Sequence, residues 1–221
     1  RALDARWRAA CDPALRRPFA YTPEDKGIRR LRNVALGYVC ASGAADAAAL
    51  AYAQFEAADN MTDRHGALTT LVAGRSAERD AALDVFYHRY AGNALVLDKW
   101  FQTQALSPLE DTPALVDELA QHPDFTLANP NRARALIGAF GANQRAFHAD
   151  GGDGYRWLAD QLLALDALNP QTAAKLLPPL GRWRRFDPVR AERMRAELAR
   201  IVATPDISKD LFEQASKSLE G

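Results

Sequence analysis

Apolar residues recur along this chain at three- and four-residue intervals. After Thr22 come Ile28, Leu31, Val34, Ala35, Tyr38 and Val39; after Ser76 come Leu83, Phe86, Tyr87 and Tyr90; after Asn129 come Ala133, Leu136, Ile137 and Phe140. Such sets lie on one side of a helix and predict its buried stripe. No strict apolar–polar alternation appears, so strands are not expected. Five times a capping residue is followed at once by proline: Thr22-Pro23, Thr112-Pro113, Asn129-Pro130, Asn169-Pro170 and Asp187-Pro188. The first side chain accepts from orphan N–H groups, and proline in the first turn sacrifices no bond. Ser76 and Thr62 open further runs, and Gly43, Gly74 and Gly92 close helices as left-handed caps. The spacing predicts helices over 2–11, 23–41, 45–58, 62–73, 77–91, 94–106, 113–121, 130–141, 154–168, 170–183, 188–203 and 208–219. Pro178-Pro179 predicts a kink or early end in the tenth. The stretches 12–22 and 142–153 read as irregular, the second ending in an exposed glycine-rich loop.

Short helices on tight links pack as antiparallel pairs, and stacked pairs make a solenoid. The expected fold is therefore all-α: an α-solenoid, a superhelical array of antiparallel helix pairs of armadillo or HEAT type. It reads as a single domain over 1–221, with no strict sequence period. Composition agrees: Ala occurs 44 times and Leu 27 times, against 12 Val plus Ile.

Charge excludes some functions. Lys+Arg and Asp+Glu both total 28, so net charge is zero, unlike a dedicated nucleic-acid binder. No apolar run approaches the roughly 20 residues that span a bilayer, and no basic-plus-apolar leader is visible. Cys11 and Cys40 form no metal or redox motif and fit a reducing compartment, so a cytoplasmic location is expected. The sequence opens on Arg1, as a stretch of something larger would.

Catalytic chemistry is hard to find. There is no H-E-x-x-H, G-x-S-x-G, Walker loop or G-x-G-x-x-G. His65, His88, His122 and His148 have no partner at ligand spacing, and each reads as a surface or capping histidine. Gly151-Gly152-Asp153-Gly154 lacks an EF-hand's carboxylates and a phosphate loop's lysine, and reads as a turn. Residues 182–200 carry seven arginines against three acids, a solvated helical face rather than an RNA site. Tyr87, Tyr90, Trp100, Phe101 and Trp157 read as core.

One placement breaks a local rule. Cations favour helix C-termini, yet Arg132 and Arg134 follow the Asn129-Pro130 cap and Lys175 lies in the second turn after Asn169-Pro170. Gln171 and Lys175 are four apart and share a face. A positive helix end with a nearby cation suits a carboxylate. A salt bridge to a local acid, such as Asp124 or Asp150, is the equal alternative.

Several of these segments carry a resemblance. The runs Ala58-Asp59-Asn60-Met61-Thr62-Asp63, Leu95-Val96-Leu97-Asp98-Lys99-Trp100-Phe101 and Phe125-Thr126-Leu127-Ala128-Asn129-Pro130-Asn131-Arg132 come in order. Leu136-Ile137-Gly138-Ala139-Phe140, Ala146-Phe147-His148-Ala149, Gly154-Tyr155 and Asn169-Pro170-Gln171 follow. From about residue 26 onward the chain resembles the C-terminal helical domain of bacterial aminopeptidase N, a zinc metallopeptidase. The resemblance implies a helical solenoid packed on a catalytic domain of the same polypeptide. That other domain would hold the zinc and the catalytic glutamate, so this chain would bind no zinc and hydrolyse nothing alone. The solenoid would close a chamber over the active site, gate peptide substrates and touch them beyond the scissile bond. Arg134, Gln171 and Lys175, with Arg132 beside them, fall at the substrate-contact positions. Lysine at 175 keeps the charge but lacks the arginine fork. The competing expectation is a stand-alone helical-repeat scaffold that binds protein partners.

Overall fold

The computed structural model describes residues 2–220. Every regular element among the described residues is helical. The chain forms two compact units, 1–92 and 93–221.

The first unit contains α1 (Ala2–Ala10), a 3₁₀ turn at Pro13–Leu15, α2 (Pro23–Ala41), α3 (Ala47–Ala57), α4 (Met61–Val72) and α5 (Ala77–Tyr90). Trp7 stacks on Tyr38 at 4.8 Å, and the Cys11 thiol lies 3.8 Å from the Arg32 carbonyl. Rising numbers on α1 therefore meet falling numbers on α2, and the two helices run antiparallel. α3 packs on α4, and both pack on α5. Leu36, Ala51, Phe55, Leu68 and Phe86 are fully buried between them.

The second unit contains α6 (Ala94–Ala105), α7 (Thr112–Ala120), α8 (Pro130–Ala133), a π turn over Arg134–Gly138, and α9 (Ala139–Ala142). It continues with α10 (Asp153–Asp166), α11 (Pro170–Leu176), α12 (Pro178–Gly181), a 3₁₀ turn at Trp183–Arg185, α13 (Pro188–Ala203) and α14 (Lys209–Glu220). α10 pairs with α11, and α13 with α14. The pairs also stack: Arg193 donates to the Asp150 carbonyl just before α10, and Arg200 reaches Asp160 at 2.7 Å. Rising numbers meet rising numbers, so α10 and α13 run parallel, while α11 packs on α14. Corresponding helices of successive pairs are thus neighbours, the mark of a helical repeat.

The predicted caps mostly form. Thr22, Ser76, Asn129, Asn169 and Asp187 each accept from a first-turn N–H. Two differ. Asn60, not Thr62, caps α4 by accepting from Asp63 N. Thr112 lies inside α7, fully buried, and donates its hydroxyl to the Ser107 carbonyl. Of the three predicted left-handed glycines only Gly43 adopts that conformation, at φ +72°; Gly74 and Gly92 do not. The α2 stripe also divides. Ala35 and Val39 are buried, but Leu31, Val34 and Tyr38 stay 45–57% exposed. Pro178 does break the tenth predicted helix, which ends at Leu176 before the short α12.

Gly154 marks the closest approach in the second unit. A Cβ there would lie 2.7 Å from the Phe147 carbonyl and 3.3 Å from Phe140 Cζ. Gly154→Ala is therefore expected to destabilise the chain by about 1–3 kcal/mol through overpacking. Urea unfolding reads this directly, and an unchanged midpoint would contradict it.

Candidate functional site

Two neighbouring recesses in the second unit hold three of the four sequence-predicted contacts. The larger is an open groove of about 530 Å³ between α11 and α14. Gln171 and Lys175 reach it from α11; Asp210, Glu213, Gln214 and Lys217 face them from α14. Asn169 sets the start of α11 by accepting from Thr172 N at 3.0 Å. Thr172 and Ala173 turn inward and are buried, which leaves Gln171 and Lys175 exposed on the opposite face. Lys175 has no ion pair among the described residues, whereas Lys217 lies 4.0 Å from Glu213. The groove therefore offers one uncommitted cation, Lys175, the amides of Gln171 and Gln214, the Asp210 carboxylate and the flanking Glu213–Lys217 pair.

The smaller recess, about 230 Å³, lies beside α6 and the π turn. Arg134 is exposed there and donates to Asn131 Oδ1 at 2.8 Å, with Lys99 on the facing wall. The two recesses sit on helices in contact: a Cβ at Gly138, one turn past Arg134, would come within 3.0 Å of Leu176 Cδ2 on α11. π turns are uncommon and frequently mark functional positions.

Arg132 is placed differently from the expectation. It is 4% exposed, its Nε donates to Asp98 Oδ1 at 2.5 Å, and it also bonds the Asp124 and Ala94 carbonyls. Its guanidinium covers the Phe101 ring at 4.8 Å. The salt-bridge alternative holds for this residue, with Asp98 as the acid and the Asp124 carbonyl as a further acceptor. Asp150 is taken by Arg190. Arg132 thus fixes α8 on α6 and aims the next turn, where Arg134 projects.

Lys99, Glu213 and Lys217 were not singled out from the sequence. The only local trace of the last two is the i, i+4 ladder Lys209–Glu213–Lys217, and their approach to α11 depends on contacts some forty residues apart.

His148 also departs from its surface reading. It is half-buried, stacked on Phe186 at 4.0 Å, and shares a 2.9 Å hydrogen bond with the Tyr155 hydroxyl. Burial, helped by the Arg190 charge, lowers its pKa to about 4. Phe147, Tyr155 and Phe186 surround the ring, so it reads as packing.

Among the described residues no three His, Cys, Asp or Glu side chains converge to hold a metal ion. No helix among the described residues is long and apolar enough to cross a membrane.

Stacked helical pairs with an open polar groove define a helical-repeat domain. The chain belongs to the family described as "Domain of unknown function (DUF3458_C) ARM repeats", which matches residues 1–220. It is 46% identical over 194 residues to aminopeptidase N of Caulobacter vibrioides, covering 87% of this chain and 22% of that protein. It is 43% identical over 197 residues to aminopeptidase N of Escherichia coli, covering 89% and 23%. A solved structure of Legionella pneumophila aminopeptidase A in complex with aspartic acid superposes with a TM-score of 0.86. Sequence identity there is 31%, over 99% of this chain and 26% of that one. The chain therefore spans about a quarter of the relatives it matches, and the resemblance to the helical domain of bacterial aminopeptidase N is shown.

Proposed function

We propose that this chain is the accessory helical domain of a zinc aminopeptidase whose catalytic domain lies elsewhere in the same polypeptide. It walls a chamber, gates peptides and contacts the distal part of the substrate. One observation carries the reading: Gln171 and Lys175 stand side by side on an open groove, and Lys175 lacks an ion pair. Lys175 and Arg134 are then the cations that meet a peptide carboxylate, with Gln171 supplying an amide to the backbone. Arg132 holds the framework behind them. The groove is lined largely by Lys, Gln, Asp and Glu side chains, which disfavours the scaffold alternative, since a protein-binding groove needs an apolar patch. The exposed Leu31, Val34 and Tyr38 on α2 are the face we assign to burial against the rest of the polypeptide, because the relatives are about four times longer. The free thiols Cys11 and Cys40 fit a cytoplasmic setting.

In the full-length enzyme, Lys175→Ala is expected to raise KM for tripeptides about fivefold and leave KM for single-residue chromogenic amides unchanged. Equal effects on both substrates would remove Lys175 from the distal surface. Chelator-sensitive turnover by the 221-residue chain alone would overturn the division of labour.

A further inference from the structure

The first unit contains a separate recess of about 250 Å³. It lies where the segment after the 3₁₀ turn meets α2, the end of α3 and the start of α4. The segment after the 3₁₀ turn contributes Arg16 and Arg17 to the lining, and the stretch from the end of α3 to the start of α4 contributes Asp59 and Asp63. Arg32 joins the lining, 6% exposed and paired with the equally buried Asp63 at 3.2 Å. That pair is incompletely satisfied: Arg32 Nε and Asp63 Oδ1 have no hydrogen-bond partner. Buried polar atoms normally find partners, so each exception calls for an explanation.

Arg16 is half-buried and has no ion pair among the described residues; it donates only a long 3.4 Å bond to the Ala53 carbonyl. Burial and the adjacent Arg32 charge lower its pKa, and the Asp63 and Asp59 charges offset this only in part. Arg17 is exposed and reaches Glu24 only at 3.8 Å. Asp59, also exposed, accepts from Phe19 N at 2.9 Å and from the Asn60 amide; among the described residues it forms no ion pair, and the Arg29 charge acts on it from a distance.

We infer that this recess is a binding site for a small zwitterion, a free α-amino acid. A simple anion would face Asp59 and Asp63, and a simple cation would face three guanidinium groups. A ligand with both signs a few ångströms apart meets both sets of charges: its carboxylate goes to Arg16 and Arg17, its ammonium to Asp59. Pro18, Gln54, Ala57 and Ala58 complete the lining, and Pro18 with the two alanines receives an aliphatic side chain. The volume admits one residue rather than a peptide. Under the function proposed above, free amino acids are the reaction's product; the binding itself needs no turnover, so its test stands apart from that reading.

The test is calorimetric titration of the 221-residue chain with L-leucine, N-acetyl-L-leucine, L-leucinamide and inorganic phosphate. Saturable binding of L-leucine is expected, with both blocked forms at least about tenfold weaker and phosphate weaker still. Arg16→Gln and Asp59→Asn are expected to weaken L-leucine binding about tenfold each, with circular dichroism melting reporting their fold. Three results would overturn the proposal: no saturable binding at millimolar L-leucine, N-acetyl-L-leucine or phosphate binding as well as L-leucine, or folded variants that bind like the parent. The ligand series on the unsubstituted chain decides even where a variant fails to fold.

Discussion

Arg132→Ala is expected to destabilise the chain by about 3 kcal/mol, because it removes a buried guanidinium and leaves the Asp98 carboxylate, only 14% exposed, without its partner. The side chain is 4% exposed and its bonds tie together α6, the segment before α8, and α8 itself. For a chain of this size the loss corresponds to a fall in Tm of about 10 °C. Removing the guanidinium also uncovers the Phe101 ring. The double variant Arg132→Met/Asp98→Leu separates the causes. It removes both charges and keeps the volume, and is expected to recover most of the loss. Urea unfolding of the two singles and the double closes the cycle. A loss below about 1 kcal/mol in Arg132→Ala would mean that the pair is effectively solvated.

The second large effect concerns pH. His148 has its pKa lowered to about 4, first by burial and then by the Arg190 charge. Around it lie Tyr155 from α10, Phe186, and Arg190 from α13, which donates to the His148 carbonyl and is itself held by Asp187 and Asp150. In the unfolded chain the imidazole takes a proton near 6.5, while the folded chain resists until about 4. His148 therefore contributes full stability above pH 6.5, and this is lost as pH falls toward 4. With its partial exposure allowed for, the loss is on the order of 2 kcal/mol. His148→Gln is expected to flatten this part of the profile, measured by urea unfolding between pH 7 and pH 4. The carboxylates, Asp187 among them, act equally in both proteins and cancel in the difference. Identical slopes for the two proteins would show that the ring titrates freely in the folded state.

The candidate groove was half legible. Gln171 and Lys175 share a face because a helix repeats every 3.6 residues, and the Asn169-Pro170 start fixes where that helix begins. Arg134 and Lys175 broke the charge preference of helix starts, and the structure leaves both exposed in recesses. Arg132 broke the same rule for another reason: Asp98, thirty-four residues earlier, supplies its counter-charge from α6. No local pattern separates these two cases. The α14 wall was invisible for the same reason, since Glu213 and Lys217 meet α11 only through packing between successive pairs.

Propensity, caps and periodicity determined the helices by themselves. Ala- and Leu-rich runs, four of the five cap–proline starts and the Pro178 break are short-range features, and short-range sterics and hydrogen bonds decide them. Partner choice was left to the tertiary structure. It exposed Leu31, Val34 and Tyr38 on a face that the helical period marks as buried, drew Thr112 inward, placed His148 among aromatic rings, and brought Arg16 and Asp59 into the lining of one recess. Each of these outcomes depends on which distant surface a side chain meets, and burial and counter-charge are properties of the pair rather than of either sequence segment.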